Sequence, residues 1–138
     1  MSKVLGIDFG LKRIGLALGY EEFKMSFPYK TLEKKDNESL FIELKEIVKK
    51  EDIKKIVIGI PRYLNGEESL TTRQVKNFIK RLNSKLGLPV LSVDEALTSF
   101  EAEKILKSSA SKKKLKDKKN IDQLAAVIIL DSYFQTTS

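Results

Sequence analysis

Four carboxylates stand where this chain could do chemistry: Asp8, the adjacent Asp94 and Glu95, and Asp122. Asp8 ends an apolar run (Val4-Leu5-Gly6-Ile7) that reads as a buried strand, and Asp94–Glu95 ends another (Val90-Leu91-Ser92-Val93). Asp122 opens the most apolar stretch of the protein, Leu124 to Leu130. An isolated ionised carboxylate is too costly to bury, so carboxylates at the ends of buried elements must be paired, hydrogen-bonded or metal-bound. If these converge, about three negative charges share one place and divalent cations neutralise them. That is the chemistry of a metal-dependent phosphodiesterase site.

The absences narrow the choice. The chain has no Cys and no His. Disulfides, thiol nucleophiles, zinc–thiolate sites, Ser-His-Asp triads and imidazole ligands are therefore excluded. Carboxylate, Lys, Tyr, Ser/Thr and backbone remain, and an oxygen-only donor set suits Mg²⁺ or Mn²⁺. The net charge is +7, and residues 104–119 carry eight lysines against one acid, so the rest of the chain balances. A solvated basic loop explains such a run by itself. Directly before Asp122, the lysines Lys112, Lys113, Lys114, Lys116, Lys118 and Lys119 read better as an arm contacting phosphates.

The elements that must position these groups follow from periodicity. Residues 3–9 and 13–20 read as a hairpin joined through Gly10-Leu11-Lys12, and 24–32 as a third strand that Pro28 pushes to an edge. Leu40, Phe41, Leu44, Ile47 and Val48 share a helical face, residues 55–60 read as a buried parallel strand, and Val75, Phe78, Ile79, Leu82 and Leu86 mark a second helix ended by Gly87. Strand 89–93 follows. Thr98-Ser99-Phe100-Glu101 has capping-box spacing and predicts a helix to about Lys107. A Ser/Lys-rich loop over 108–119 then leads to a last helix capped by Asn120, with Asp122 in its first turn. Gly10 and Gly15 read as serving the hairpin's backbone geometry.

This order predicts an α/β fold of one domain over residues 1–138. A three-strand antiparallel meander continues into parallel strands, giving a mixed five-stranded sheet flanked by helices, the topology of the ribonuclease H-like fold. No apolar run approaches the ~20 residues of a membrane span, and an acid arrives too early for a signal peptide, so a cytoplasmic protein is expected. Strand alternation sends Asp94 and Glu95 to opposite faces, so at most one of them joins the site easily; parity within the sequence leaves open which.

Gly6-Ile7-Asp8-Phe9-Gly10-Leu11-Lys12-Arg13-Ile14-Gly15-Leu16-Ala17 resembles the opening motif of the YqgF (RuvX) family. Val57-Ile58-Gly59-Ile60-Pro61 with Asn65-Gly66, Asp94-Glu95 with Leu97-Thr98-Ser99, and Ile121 to Leu130 resemble its later blocks, in order across nearly the whole chain. The resemblance implies a ribonuclease H-fold nuclease related to Holliday-junction resolvases and chiefly regarded as maturing the 5′ end of pre-16S rRNA. It implies Asp8, Glu95 and Asp122 as catalytic, metal-binding acids for two Mg²⁺ or Mn²⁺ ions, with Asp94 as the fallback for Glu95. Asp8 would bridge both ions. The family usually has Arg after the Asp-Glu pair, where this chain has Ala96, so substrate contacts fall to Lys12, Arg13, Arg62, Asn65 and the basic arm. The partner is nucleic acid, an RNA precursor or branched DNA. A junction resolvase cutting two symmetric strands calls for a homodimer, and a non-catalytic nucleic-acid-binding module is the reading from another class.

Overall fold

The computed structural model describes residues 3–10, 12–60, 70–94 and 118–136. Its elements are β1 (Lys3–Phe9), β2 (Arg13–Tyr20), β3 (Met25–Glu33), α1 (Asn37–Glu51), β4 (Ile53–Ile60), α2 (Leu70–Leu86), β5 (Val90–Asp94) and α3 (Lys118–Thr136). The strands form one sheet in the order β3-β2-β1-β4-β5. β1, β2 and β3 run antiparallel in sequence, while β4 pairs parallel with β1 and β5 parallel with β4. This is the expected meander followed by parallel strand–helix units. Pro28 lies on an edge strand as anticipated, beside a register shift opposite Leu16 and Ala17.

The period-two alternation of β1 splits the molecule into two cores. Leu5, Ile7 and Phe9 face α1 and α2 and pack with Leu40, Leu44, Val75, Phe78 and Leu82. Val4 faces the other way and packs with Ala17 and Val57 against Ala126, Ile129, Leu130, Tyr133 and Phe134 of α3. Phe78 lies between Phe9 and Phe41, with ring centroids 5.0 and 5.4 Å away. Local chemistry sets the helix ends. The Asp36 carboxylate accepts the Ser39 N–H at 2.8 Å to cap α1, and Gly87, at φ +65°, closes α2 in the left-handed conformation that glycine adopts without cost.

The start of the last helix differs from the sequence expectation. α3 begins at Lys118, so Lys118 and Lys119 belong to the helix rather than to a loop, and Asn120 lies inside it instead of capping it. Strong helix formers at both lysines let the helix extend backward. Asp122 is then the fifth helical residue, beyond a first turn of 3.6 residues. The favourable N-terminal dipole therefore no longer accounts for it. Gln123 donates from Nε2 to Thr31 Oγ1 on β3 at 3.1 Å, tying the start of the helix to the sheet edge. The helix expected from Thr98 lies outside the described residues.

Candidate active site

The site is built where α3 crosses the C-terminal end of β1. Asp8 is half-buried one residue before the end of that strand, and the antiparallel register sets it directly opposite Gly15 on β2. Residues directly opposite in an antiparallel pair project to the same side. A Cβ built on Gly15 would come 2.8 Å from the Asp122 Cβ and well inside contact distance of the Asp122 backbone carbonyl. The helix backbone therefore rests on the bare Cα of Gly15, beside Asp8. Gly6, two residues earlier on the same face of β1, does the same further along the helix, where a Cβ would come 3.0 Å from the Ala126 carbonyl oxygen. The sequence predicts hairpin geometry as the role of Gly15; its role is close approach, and that expectation is corrected. Gly10 does lie at the hairpin, where a Cβ would come 2.5 Å from the Arg13 carbonyl oxygen.

Asp122 is held by charge as well as by packing. Arg13 Nε donates to Asp122 Oδ2 at 2.9 Å, with both side chains about a quarter exposed (29% and 21%). The sequence assigns Arg13 to substrate phosphates; in the structure its Nε engages the Asp122 carboxylate. A charge-assisted bond of this length fixes the carboxylate's orientation, as partners of metal-ligating side chains do.

Asp94 goes elsewhere. It pairs with Ile60, whose side chain belongs to the α1/α2 core, while Val93 packs against the α3 core. Asp94 thus ends β5 on the face opposite Asp8. Glu95, Arg62, Asn65 and Lys112 to Lys116 lie outside the described residues, and of Lys118 and Lys119 the backbone alone is described. Among the described residues no three acids stand close enough together to hold a metal ion. Asp8 and Asp122 are both half-buried oxygen donors on the α3 side of the sheet, the donor type that hard divalent cations take.

Known proteins resemble this chain over nearly its whole length. The family model described as "RuvX: Holliday junction resolvase" matches residues 2–136. The chain belongs to the RuvX family. A relative from Maridesulfovibrio salexigens, named "Putative pre-16S rRNA nuclease", is 47% identical over 131 residues, covering 95% of this chain and 96% of its own. A relative of the same name from Sulfurihydrogenibium sp. is 37% identical over 140 residues, covering 100% of this chain and 93% of its own. Among solved structures, Thermus thermophilus RuvC in complex with Holliday junction substrate superposes with a TM-score of 0.59 at 14% identity, covering 99% and 96% of the two chains. The fowlpox virus Holliday junction resolvase superposes with a TM-score of 0.58 at 12% identity, covering 99% of each. This RuvX-family chain has the ribonuclease H-like fold of those resolvases.

No helix among the described residues is long and apolar enough to cross a membrane.

Proposed function

We propose that this chain is a metal-dependent nuclease that hydrolyses phosphodiester bonds in the 5′-end processing of pre-16S rRNA, a single ribonuclease H-like domain working in the cytoplasm. The observation that carries the reading is the seating of Asp122 over Gly15, next to Asp8, on the face that α3 covers. No dipole or capping role accounts for both acids. The names of the full-length relatives support the substrate.

Asp8, Glu95 and Asp122 would hold the Mg²⁺ or Mn²⁺. Glu95 is preferred to Asp94 because Asp94 ends β5 on the α1/α2 face, away from Asp8. Such ions, when bound, would supply a water of lowered pKa and positive charge at the leaving oxygen. Arg13 orients Asp122 and offsets part of its charge, so that three acids can share the site before metal enters. With no histidine in the chain, no side-chain base of that kind competes for the proton. Lys12, Arg62, Asn65 and Lys112 to Lys119 would hold flanking phosphates, taking over from the missing arginine at Ala96.

The test is cleavage by purified protein with Mg²⁺, Mn²⁺ or EDTA, comparing a labelled leader RNA of the ribosomal precursor with a four-way DNA junction. Metal-dependent cutting of the RNA, lost in Asp8→Asn, is the expected result. Symmetric nicking of the junction instead would transfer the function to recombination and call for a homodimer. Tight, salt-sensitive binding without any cleavage would leave a binding module.

A further inference from the structure

Phe9 follows Asp8 and points to the opposite face of the sheet, where it lines a pocket of about 180 Å³ with Lys34, Asn37, Gln74, Asn77 and Arg81. Lys34 follows β3 and donates its backbone N–H to the Lys12 carbonyl at 2.8 Å, which ties the pocket to the strand bearing Arg13. Gln74, Asn77 and Arg81 lie one turn apart on a single face of α2. The pocket therefore sits at the same end of the sheet as Asp8 and Asp122, one strand thickness away.

Its electrostatics are unbalanced. Burial lowers the pKa of the Lys34 ammonium, and the charge of Arg81 pushes it the same way. Lys34 Nζ stands 4.5 Å from the centroid of the Phe9 ring. Neither Lys34 nor Arg81 forms an ion pair with an acid among the described residues. Asp36, the neighbour of Asn37, already accepts from the Ser39 N–H and hydroxyl at 2.8 and 3.0 Å, and Glu38 lines the adjoining groove that Arg81 and Asn37 share. A partly desolvated ammonium with a second cation beside it is costly in an empty pocket, and a ligand carrying an anionic group relieves that cost.

We propose that this pocket binds a backbone phosphate of the nucleic-acid strand flanking the scissile bond, received by Lys34 and Arg81. The assignment rests on the nuclease reading. A strand leaving Asp8 and turning over the end of the sheet meets Lys34 and Arg81 next. The pocket then supplies, from the α2 face, part of the phosphate grip that the chain lacks at Ala96.

The experiment is binding of a labelled single-stranded RNA oligonucleotide across a salt series, with wild type, Lys34→Gln, Arg81→Gln and Lys54→Gln. Lys54 is exposed at the opposite end of the sheet and controls for net charge. Removing one phosphate-binding cation should reduce the slope of log affinity against log salt by about 0.7, so both pocket variants become shallower by that amount and Lys54→Gln does not. Thermal melts establish that the variants fold. Equal slopes in wild type and pocket variants, with the RNA still bound, overturn the pocket and leave the nuclease reading standing. A wild type that binds no oligonucleotide overturns both the strand assignment and the nuclease reading. A shift of the Arg81 Nε–H resonance on adding inorganic phosphate would then mark an anion pocket without a strand.

Discussion

Gly15 and Asp122 touch, main chain against main chain: a methyl group on Gly15 would sit 2.8 Å from the Asp122 Cβ and closer still to its carbonyl. Gly15 is also the strand partner of Asp8. One residue without a side chain thus lets the helix carrying Asp122 settle on the strand opposite Asp8.

Gly15→Ala should destabilise the protein and nearly abolish cleavage. In an ordinary strand this change favours folding, because glycine costs backbone entropy. Here the added carbon meets helix backbone, which cannot rotate away, and overpacking of this kind costs about 1–3 kcal/mol. Urea unfolding and a cleavage assay check it together. Unaltered stability would show that α3 does not rest on this residue.

Asp8→Asn should reduce cleavage by orders of magnitude while leaving nucleic-acid binding and fold intact, and EDTA should reproduce the loss in wild type. The asparagine keeps the shape but removes the charge a divalent cation needs. Full activity in the variant would sink the site.

Arg13→Gln separates orientation from stability. The pair with Asp122 is partly exposed, so its loss should cost at most about 1 kcal/mol of folding free energy. The Mg²⁺ concentration giving half-maximal cleavage should rise about 10-fold or more, as when other partners of metal-ligating groups are removed. A reduced affinity for RNA at an unchanged Mg²⁺ requirement would instead return Arg13 to phosphate binding.

Glu21 predicts a stability difference that depends on pH. Tyr133 donates to Glu21 Oε1 at 2.6 Å, and Lys55 Nζ donates to the same oxygen at 2.8 Å and to the Tyr133 hydroxyl at 2.7 Å. The bond from Lys55, then that from Tyr133, lowers the pKa of Glu21 below its usual value near 4.5. A carboxylate with a depressed folded-state pKa contributes stability above its unfolded value and loses it as the pH falls through the folded one. Glu21→Gln should therefore be less stable than wild type at neutral pH, and the gap should close below pH 4.5. Urea midpoints across that range are the check; a constant gap would mean that packing, not charge, is lost.

Much of this was legible from local pattern. Alternation in Val4–Phe9 assigned Asp8 to one face and Leu5, Ile7 and Phe9 to the other, and helical spacing found the buried faces of α1 and α2, because these periodicities follow from backbone geometry alone. The motif blocks pointed to the family for the same reason: each is contiguous. What separated residues do to one another could not be read that way. Small residues alternate with large in Gly15-Leu16-Ala17-Leu18-Gly19, a signal that something packs closely there, but which helix settles on it is decided 107 positions later, at Asp122. The side taken by Asp94 depended on the β4–β5 register, which no count along β5 reveals. The pairing of Arg13 with Asp122 and the meeting of Lys34 with Arg81 are likewise products of chain crossing. Sequence determined the residues and the faces they share; only the tertiary structure, by stacking α3 on β2 and α2 beneath β4, decided which charges face each other.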